Sequence, residues 1–346
     1  MAPLGLSALR SRLSRGSSGK GWQPPEASWS RSFGLGWSSP FTVRYASNLD
    51  DGPWHGMPLG GFGAGCIGRS SRGDFNLWHL DGGEHWYGSI PDCQFALWEQ
   101  QGDQMRVHAL ATEPTRDDSR PESGKPLSSW QWYPASTEET STGTYAARYP
   151  LSWNHYEGVF RAEVSCEAFS PILPGDYQRS SYPVAVFRWT LTNPTTKPLE
   201  LSLLLSWRNT VGWFTNTDSS AEVHFRDDGS PEHNYAPAIG VGEGQSNRWI
   251  DGDGLRGVLL DGKRSTPLAE GEGQWCLALP DRLDGVELMR CSRWDPSGDG
   301  AELWQPFAAD GLIPDSNNDR ASRAGEHASA AIAVKLTLAP GETREI

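Results

Sequence analysis

Apolar and polar residues alternate with a period of two along much of this chain, as half-buried β-strands require. In Val184 to Leu191 (VAVFRWTL), Ala185, Phe187, Trp189 and Leu191 share one face, and Arg188 and Thr190 share the other. Beyond the turn cluster Asn193-Pro-Thr-Thr-Lys-Pro198, Leu199, Leu201, Leu203, Leu205 and Trp207 alternate with Glu200, Ser202 and Ser206. The two runs predict a β-hairpin with one buried face. Phe160, Ala162, Val164, Cys166 and Ala168 form another set, opposed by Arg161, Glu163 and Glu167. Shorter strands are predicted at Gln94 to Trp98, Met105 to Leu110, Leu255 to Leu260 and Trp275 to Leu279, and Ile332, Val334, Leu336 and Leu338 mark the last clear one. Convincing helical periodicity is nowhere found, and its best short stretch, Leu6 to Leu13, cannot stand alone in water. With 39 glycines and 25 prolines between short strands, the expected fold is all-β: a large antiparallel two-sheet β-sandwich with long loops. The long loops are Thr112 to Thr144, Asn209 to Asn247 and Trp294 to Glu326. Loops of that length are usually functional or disordered.

Met57 to Trp78, MPLGGFGAGCIGRSSRGDFNLW, breaks the alternation with five glycines in nine residues (Gly60, Gly61, Gly63, Gly65, Gly68). One turn needs one or two, so this is a tightly folded loop in which backbone passes close to backbone, feeding a strand. Gly63-Ala-Gly65-Cys-Ile-Gly68 satisfies the G-x-G-x-x-G pattern. A dinucleotide site needs a helix next, and Ser70-Ser-Arg-Gly73 cannot start one; no cofactor is expected.

Charge narrows the partners. The chain has 346 residues and a formal charge of −13; four bases and no acid precede Glu26, leaving 26 basic against 43 acidic residues beyond that point. Such a surface repels nucleic acid and anionic lipid and favours a neutral ligand. The 17 tryptophans offer flat apolar faces with one N–H donor, as a sugar ring asks for, although large β-folds also bury aromatics in their cores. Five widely spaced cysteines (Cys66, Cys93, Cys166, Cys276, Cys291), no C-x-x-C and no usable N-x-S/T point to a reducing, cytoplasmic setting without a disulfide framework or zinc. Residues 1–28 are read as a tail and 29–346 as the β domain. The tail's Arg/Ser-rich composition is like an organellar transit peptide, but a disordered tail or an upstream start codon is the simpler reading. No window suits a membrane-spanning helix.

The glycine run also carries a resemblance. MPLGGFGAGCIGRSSRGDF resembles the signature near the start of glycoside hydrolase family 116, which includes non-lysosomal glucosylceramidases and microbial β-glucosidases. Cys166-Glu-Ala-Phe-Ser-Pro-Ile-Leu-Pro174, Tyr182-Pro-Val-Ala-Val-Phe187, Asn193-Pro194 and Leu201 to Asn209 (LSLLLSWRN) resemble its following segments in order. The similarity runs from about Trp29 to the C-terminus and covers the family's N-terminal domain only. It implies a retaining β-glucosidase whose Glu nucleophile and Asp acid/base lie in a helical (α/α)6 barrel; no position here matches either motif. Thr343 to Ile346 begins a strand after the turn at Ala339-Pro-Gly-Glu342, and in the family that strand leads toward the barrel. The chain is therefore expected to be cut before the catalytic domain and inactive alone. It would scaffold that domain and lend loops to the rim of its site, for a glucoside or glucosylceramide-type substrate.

The local candidate for substrate contact is Trp78-His-Leu-Asp-Gly-Gly-Glu-His-Trp86. His79, Asp81, Glu84, His85 and Trp86 would present polar groups and a stacking face to a neutral ligand; a plain surface turn is the competing reading. Asp295-Pro-Ser-Gly-Asp-Gly300 opens like a calcium loop, but Leu303 and Pro306 occupy ligand positions nine and twelve, so no metal is expected. No G-x-S-x-G elbow occurs. Arg208-Asn209 reads as a pair tying a strand end to the next turn at least as well as a ligand contact. A different class remains open: a stand-alone carbohydrate-binding module stacking sugars on Trp86, Trp213 and Trp249.

Overall fold

The computed structural model describes residues 26–35, 55–80, 86–114, 127–212, 223–225, 227–229, 231–233, 243–264, 266–267 and 272–346. The predicted tail thus lies outside the described residues apart from 26–28, as do Leu6 to Leu13 and much of the loop Asn209 to Asn247. In chain order, β1 (Trp29–Ser32) precedes a meander of β2 (Met57–Leu59), β3 (Cys66–Arg69), β4 (Phe75–His79) and β5 (Trp86–Tyr87). Two hairpins follow, β6 (Gln94–Gln101) with β7 (Gln104–Ala109) and β8 (Gly143–Arg148) with β9 (Leu151–Tyr156). Then come β10 (Glu163–Phe169), the one-turn helix α1 (Tyr177–Ser180), β11 (Val186–Thr192), β12 (Leu199–Arg208) and the short pair β13 (Val223–Phe225) and β14 (Pro231–His233). A second meander, β15 (Ser246–Gly252), β16 (Leu255–Asp261) and β17 (Trp275–Pro280), leads to β18 (Glu287–Trp294), helix α2 (Ala301–Asp310), β19 (Ser329–Leu338) and β20 (Thr343–Glu345).

The all-β class holds; the two-sheet sandwich does not. The strands divide among sheets of six (β1-β8-β9-β10-β11-β20), five (β18-β19-β12-β6-β7), four (β2 to β5), three (β15 to β17) and two (β13-β14), all antiparallel ladders. The four larger sheets contribute to one shared core, a propeller-like ring rather than two stacked layers. The physical reason is locality. β2 to β5 and β15 to β17 pair only with their chain neighbours and so form small sheets of their own, which alternation, marking a core face but no partner, could not reveal.

The hairpin expected from Val184 to Trp207 is also corrected. β11 pairs with β10 and β20, whereas β12 lies between β19 and β6 in the other large sheet. The Asn193–Pro198 turn is a crossover between sheets. Asn193 fixes it, its side-chain amide donating to the carbonyls of Lys197 (2.8 Å) and Leu338 (3.0 Å) while its Oδ1 accepts from Thr195 N–H (2.9 Å). Trp189 and Leu191 meet Leu199, Leu201 and Leu203 across the shared core. Alternation correctly marked each strand's core face but not its partner. Nor does β12 bury one face only. Leu204 packs with Trp98, Trp130, Trp304 and Phe307 in a second core, and Ser202 and Ser206 are fully buried. Helix α2, inside the predicted loop Trp294 to Glu326, supplies that cover through Leu303, Trp304 and Phe307. It is short and contains Pro306, so it left little periodic signal.

Buried charges tie the sheets together. Arg69, at the end of β3, is 1 % exposed. Its guanidinium donates to Gly73 O (2.9 Å), Leu110 O (3.0 Å), Asn154 Oδ1 (3.3 Å) and Tyr156 Oη (2.6 Å). It also lies 5.1 Å from the Phe95 ring and 5.3 Å from the Trp189 ring. Those partners belong to the four-, five- and six-stranded sheets or the turns that follow their strands. Asp92 pairs with Arg208 at the end of β12 and accepts from Ser329 Oγ at the start of β19 (2.6 Å). Glu99, on β6, accepts from the backbone N–H groups of Arg161 (2.8 Å) and Ala162 (2.8 Å) just before β10.

Each orphaned buried acceptor costs about 1–3 kcal/mol. Arg69→Met, which strands several, should therefore lose at least about 3 kcal/mol in urea denaturation. Arg72→Met, whose partners are Thr112 Oγ1 and the exposed Glu113 carbonyl, should lose less than about 1 kcal/mol. Equal losses would contradict the assignment. Acid sensitivity follows from histidine. Burial, then the neighbouring Arg106 charge, pushes His108 down from 6.5 to about 4, and burial pushes His155 down too. The unfolded chain takes up these protons first, so stability is lost as pH falls from about 6.5 toward 4. His108→Gln should flatten the dependence of melting temperature on pH in that window; an unchanged slope would refute the role.

Candidate functional site

The glycine run connects β2 to β3, and sterics explain its composition. At Gly61 a Cβ would overlap the Ser181 and Tyr182 backbone. Gly65 combines φ +76° with a position where a Cβ would overlap the His79 carbonyl. Gly60 N–H donates to Ser170 Oγ (2.7 Å), which donates to Val184 O (2.7 Å), and Phe62 N–H donates to Ser180 O (2.8 Å). The loop is thereby locked to the segment Ser170–Val184 around α1. After Gly65 the chain enters β3, not a helix, so the dinucleotide pattern has no structural counterpart.

His79 closes β4 opposite Cys66 of β3, half-buried beside Gly65. β5 pairs with β4 through Trp78 opposite Trp86, which puts His79 and Trp86 at one end of this hairpin. Asp81, Glu84 and His85 lie outside the described residues, as does the Trp86 side chain. Trp78, from the same motif, is a core residue whose indole N–H donates to Gly88 O (2.8 Å). The fold thus gathers the glycine loop, the end of β4 and the α1 segment at one corner. The sequence reading missed that corner's exposed apolar side chains: Phe62, Leu173, Tyr177, Tyr182 and Val184. The available signal was large apolar residues set among glycines, prolines and polar groups, of which only Val184 fell within a predicted strand.

Other candidates resolve as structure. Arg208 binds Asp92, and the Asn209 amide donates to Asn247 Oδ1 (2.9 Å) and Asp261 O (2.8 Å), so this pair ties strand end to turn. Asp295 and Asp299 accept from the N–H groups of Ser297 (2.9 Å) and Ala301 (3.0 Å) in turns before α2. Of the twelve tryptophans whose side chains are described, eight are buried and none is exposed. Trp249 has one face under the Arg290 guanidinium (4.1 Å) and donates its N–H to Arg290 O (3.1 Å), which leaves it a poor sugar platform. Trp213 lies outside the described residues.

A polar cleft of about 350 Å³ is lined by Arg293, Asp295, Glu302, Arg320, Glu326 and His327, among others. A glycosidase acid must keep its proton near neutral pH, which takes a raised pKa. Hydrogen bonds from Arg323 N–H and Arg320 instead hold Glu326 below the usual carboxylate range. Asp251 is held down by Arg290 and Arg256, and Asp299 by Ala301 N–H and Ser129. Of the three, Glu326 lines the cleft, while Asp251 and Asp299 lie outside it.

What emerges is an all-β domain with a rigid corner of loops. Its sequence matches the family described as beta-glucosidase 2, glycosyl-hydrolase family 116 N-term, over residues 56–346. The chain belongs to glycosyl-hydrolase family 116 and contains the N-terminal part of that family.

The corner's rigidity is testable. Gly65→Ala places a side chain in left-handed backbone and against His79 O, whereas Gly63 (φ +73°) has nothing near its Cβ position. Left-handed strain alone costs about 1–2 kcal/mol, the loss expected for Gly63→Ala. Gly65→Ala should exceed it by at least about 1 kcal/mol in chemical denaturation; the reverse order would refute the packing.

Proposed function

We propose that this chain is the supporting β domain of a retaining β-glucosidase. It scaffolds an (α/α)6 catalytic domain and lends the loop bearing His79, Asp81, Glu84, His85 and Trp86 to the rim of the active site. The substrate is a neutral β-glucoside of the glucosylceramide type. Trp86 would stack on the apolar C–H face of the sugar or its aglycone, and the His and carboxylate groups would bind hydroxyls. The observation that carries this reading is the family match over residues 56–346. It is supported by a glycine loop braced against His79 and by the cleft carboxylate Glu326, held below the usual range by Arg323 N–H and Arg320. The free thiols of Cys93, Cys166, Cys276 and Cys291 favour a cytoplasmic setting. Among the described residues no helix is long and apolar enough to cross a membrane.

The 346-residue chain, assayed with an aryl β-glucoside, should show no turnover above buffer. Clear turnover abolished by one substitution within this chain would overturn the supporting role. Tryptophan fluorescence titrated with the same glucoside should not respond at sub-millimolar concentration; saturable quenching there would favour a free-standing carbohydrate-binding module.

A further inference from the structure

We propose that the exposed corner formed by Phe62, Leu173, Tyr177, Tyr182 and Val184 is the surface on which the catalytic domain of a family 116 enzyme docks, an assignment that rests on the supporting role above. Eight large apolar side chains are exposed among the described residues, and five of them gather here. The corner is prebuilt: Phe62 is fixed through its N–H to Ser180 O, and Leu173 N–H is held by Ser180 Oγ (2.8 Å). Phe62, Tyr177 and Tyr182 are 48 %, 77 % and 51 % exposed. With roughly 200 Å² per ring, they leave on the order of 350 Å² open. That falls in the range of about 300–600 Å² where patches on single chains are often functional. It is close to half of the roughly 800 Å² that each side of a standard interface buries.

The chemistry favours polypeptide over lipid. Within the α1 segment the charges of Asp176 and Arg179 neutralise each other at 3.3 Å, so the patch presents almost no net charge, as interface centres do. The chain's −13 charge opposes an anionic bilayer. The patch also joins the corner that holds His79, so a domain seated there meets the β4–β5 hairpin end.

Co-expression of the tagged 346-residue chain with a separate family 116 catalytic domain, followed by co-purification and titration, tests this. The chain should capture the domain, and Phe62→Ser/Tyr177→Ser/Tyr182→Ser should weaken binding at least tenfold with an unchanged melting temperature. The single change Tyr177→Ser, at the most exposed ring, should weaken it measurably. Met105→Ser/Leu255→Ser, at exposed apolar residues elsewhere, should not. Capture by the wild type with equal capture by both patch variants would overturn the surface assignment and leave the supporting role standing. No capture by the wild type would overturn both. Sedimentation of the wild type with neutral phosphatidylcholine vesicles, lost in the triple variant, would overturn the assignment in favour of a membrane.

Discussion

Arg69 is a cation removed from water with four neutral oxygens and aromatic faces around it, and none of those acceptors is a carboxylate. Burying an ion costs several kcal/mol even after relaxation. Hydrogen bonds to a charged group return about 1.5–3 kcal/mol each, and a desolvated cation–π contact about 2. The sum is favourable only when all the partners are present together. Gly73 follows β3, Leu110 follows β7, and Asn154 and Tyr156 sit on β9, so three sheets must be in place before the charge is satisfied. Tyr156 extends the link, since its hydroxyl accepts from Arg69 and donates to Leu110 O (2.9 Å). The Asp92–Arg208–Ser329 cluster acts similarly among β6, β12 and β19 of the five-stranded sheet.

This arrangement separates rigidity from display. Tryptophan, abundant in the sequence, mostly builds the two cores: Trp189 and Trp207 in one, and the stacked Trp130, Trp294 and Trp304 in the other. The side chains left outside gather where the glycine loop meets α1. Gly61 and Gly65 admit backbone contacts that a Cβ would block, and those contacts hold Phe62 and the end of β4 in place. Buried thiols stay inert, since burial, then the Asp92 charge, pushes Cys93 up, and burial lifts Cys166 to about 12.

Much of this was legible in the sequence. Strands β6, β7, β10, β12, β16, β17 and β19 follow from alternation, and the family follows from the glycine run. Pairing was not legible. Alternation gives the core face of Trp189 and of Leu201, but whether they share a sheet depends on the turn at Asn193, whose amide reaches Leu338 from a distant part of the chain. β9 was silent because Ser152, Asn154 and His155 are buried polar residues, which erase the alternation. Arg69 reads from sequence as an ordinary surface base after Gly68. Only the fold reveals that it faces inward. At the candidate site the sequence proposed a loop from His79 to Trp86, not the β4–β5 pairing, and it gave no reason to look at Phe62 or Tyr177, whose significance lies in being uncovered.

Four sheets share one core, and buried charges satisfied only jointly link three of them, so the sheets unfold as a unit. Urea denaturation of the 346-residue chain, followed in parallel by far-ultraviolet circular dichroism and tryptophan fluorescence, measures this directly. One transition with coincident midpoints for both signals is expected. Two separated transitions, with the four- or three-stranded sheet melting ahead of the rest, would contradict it.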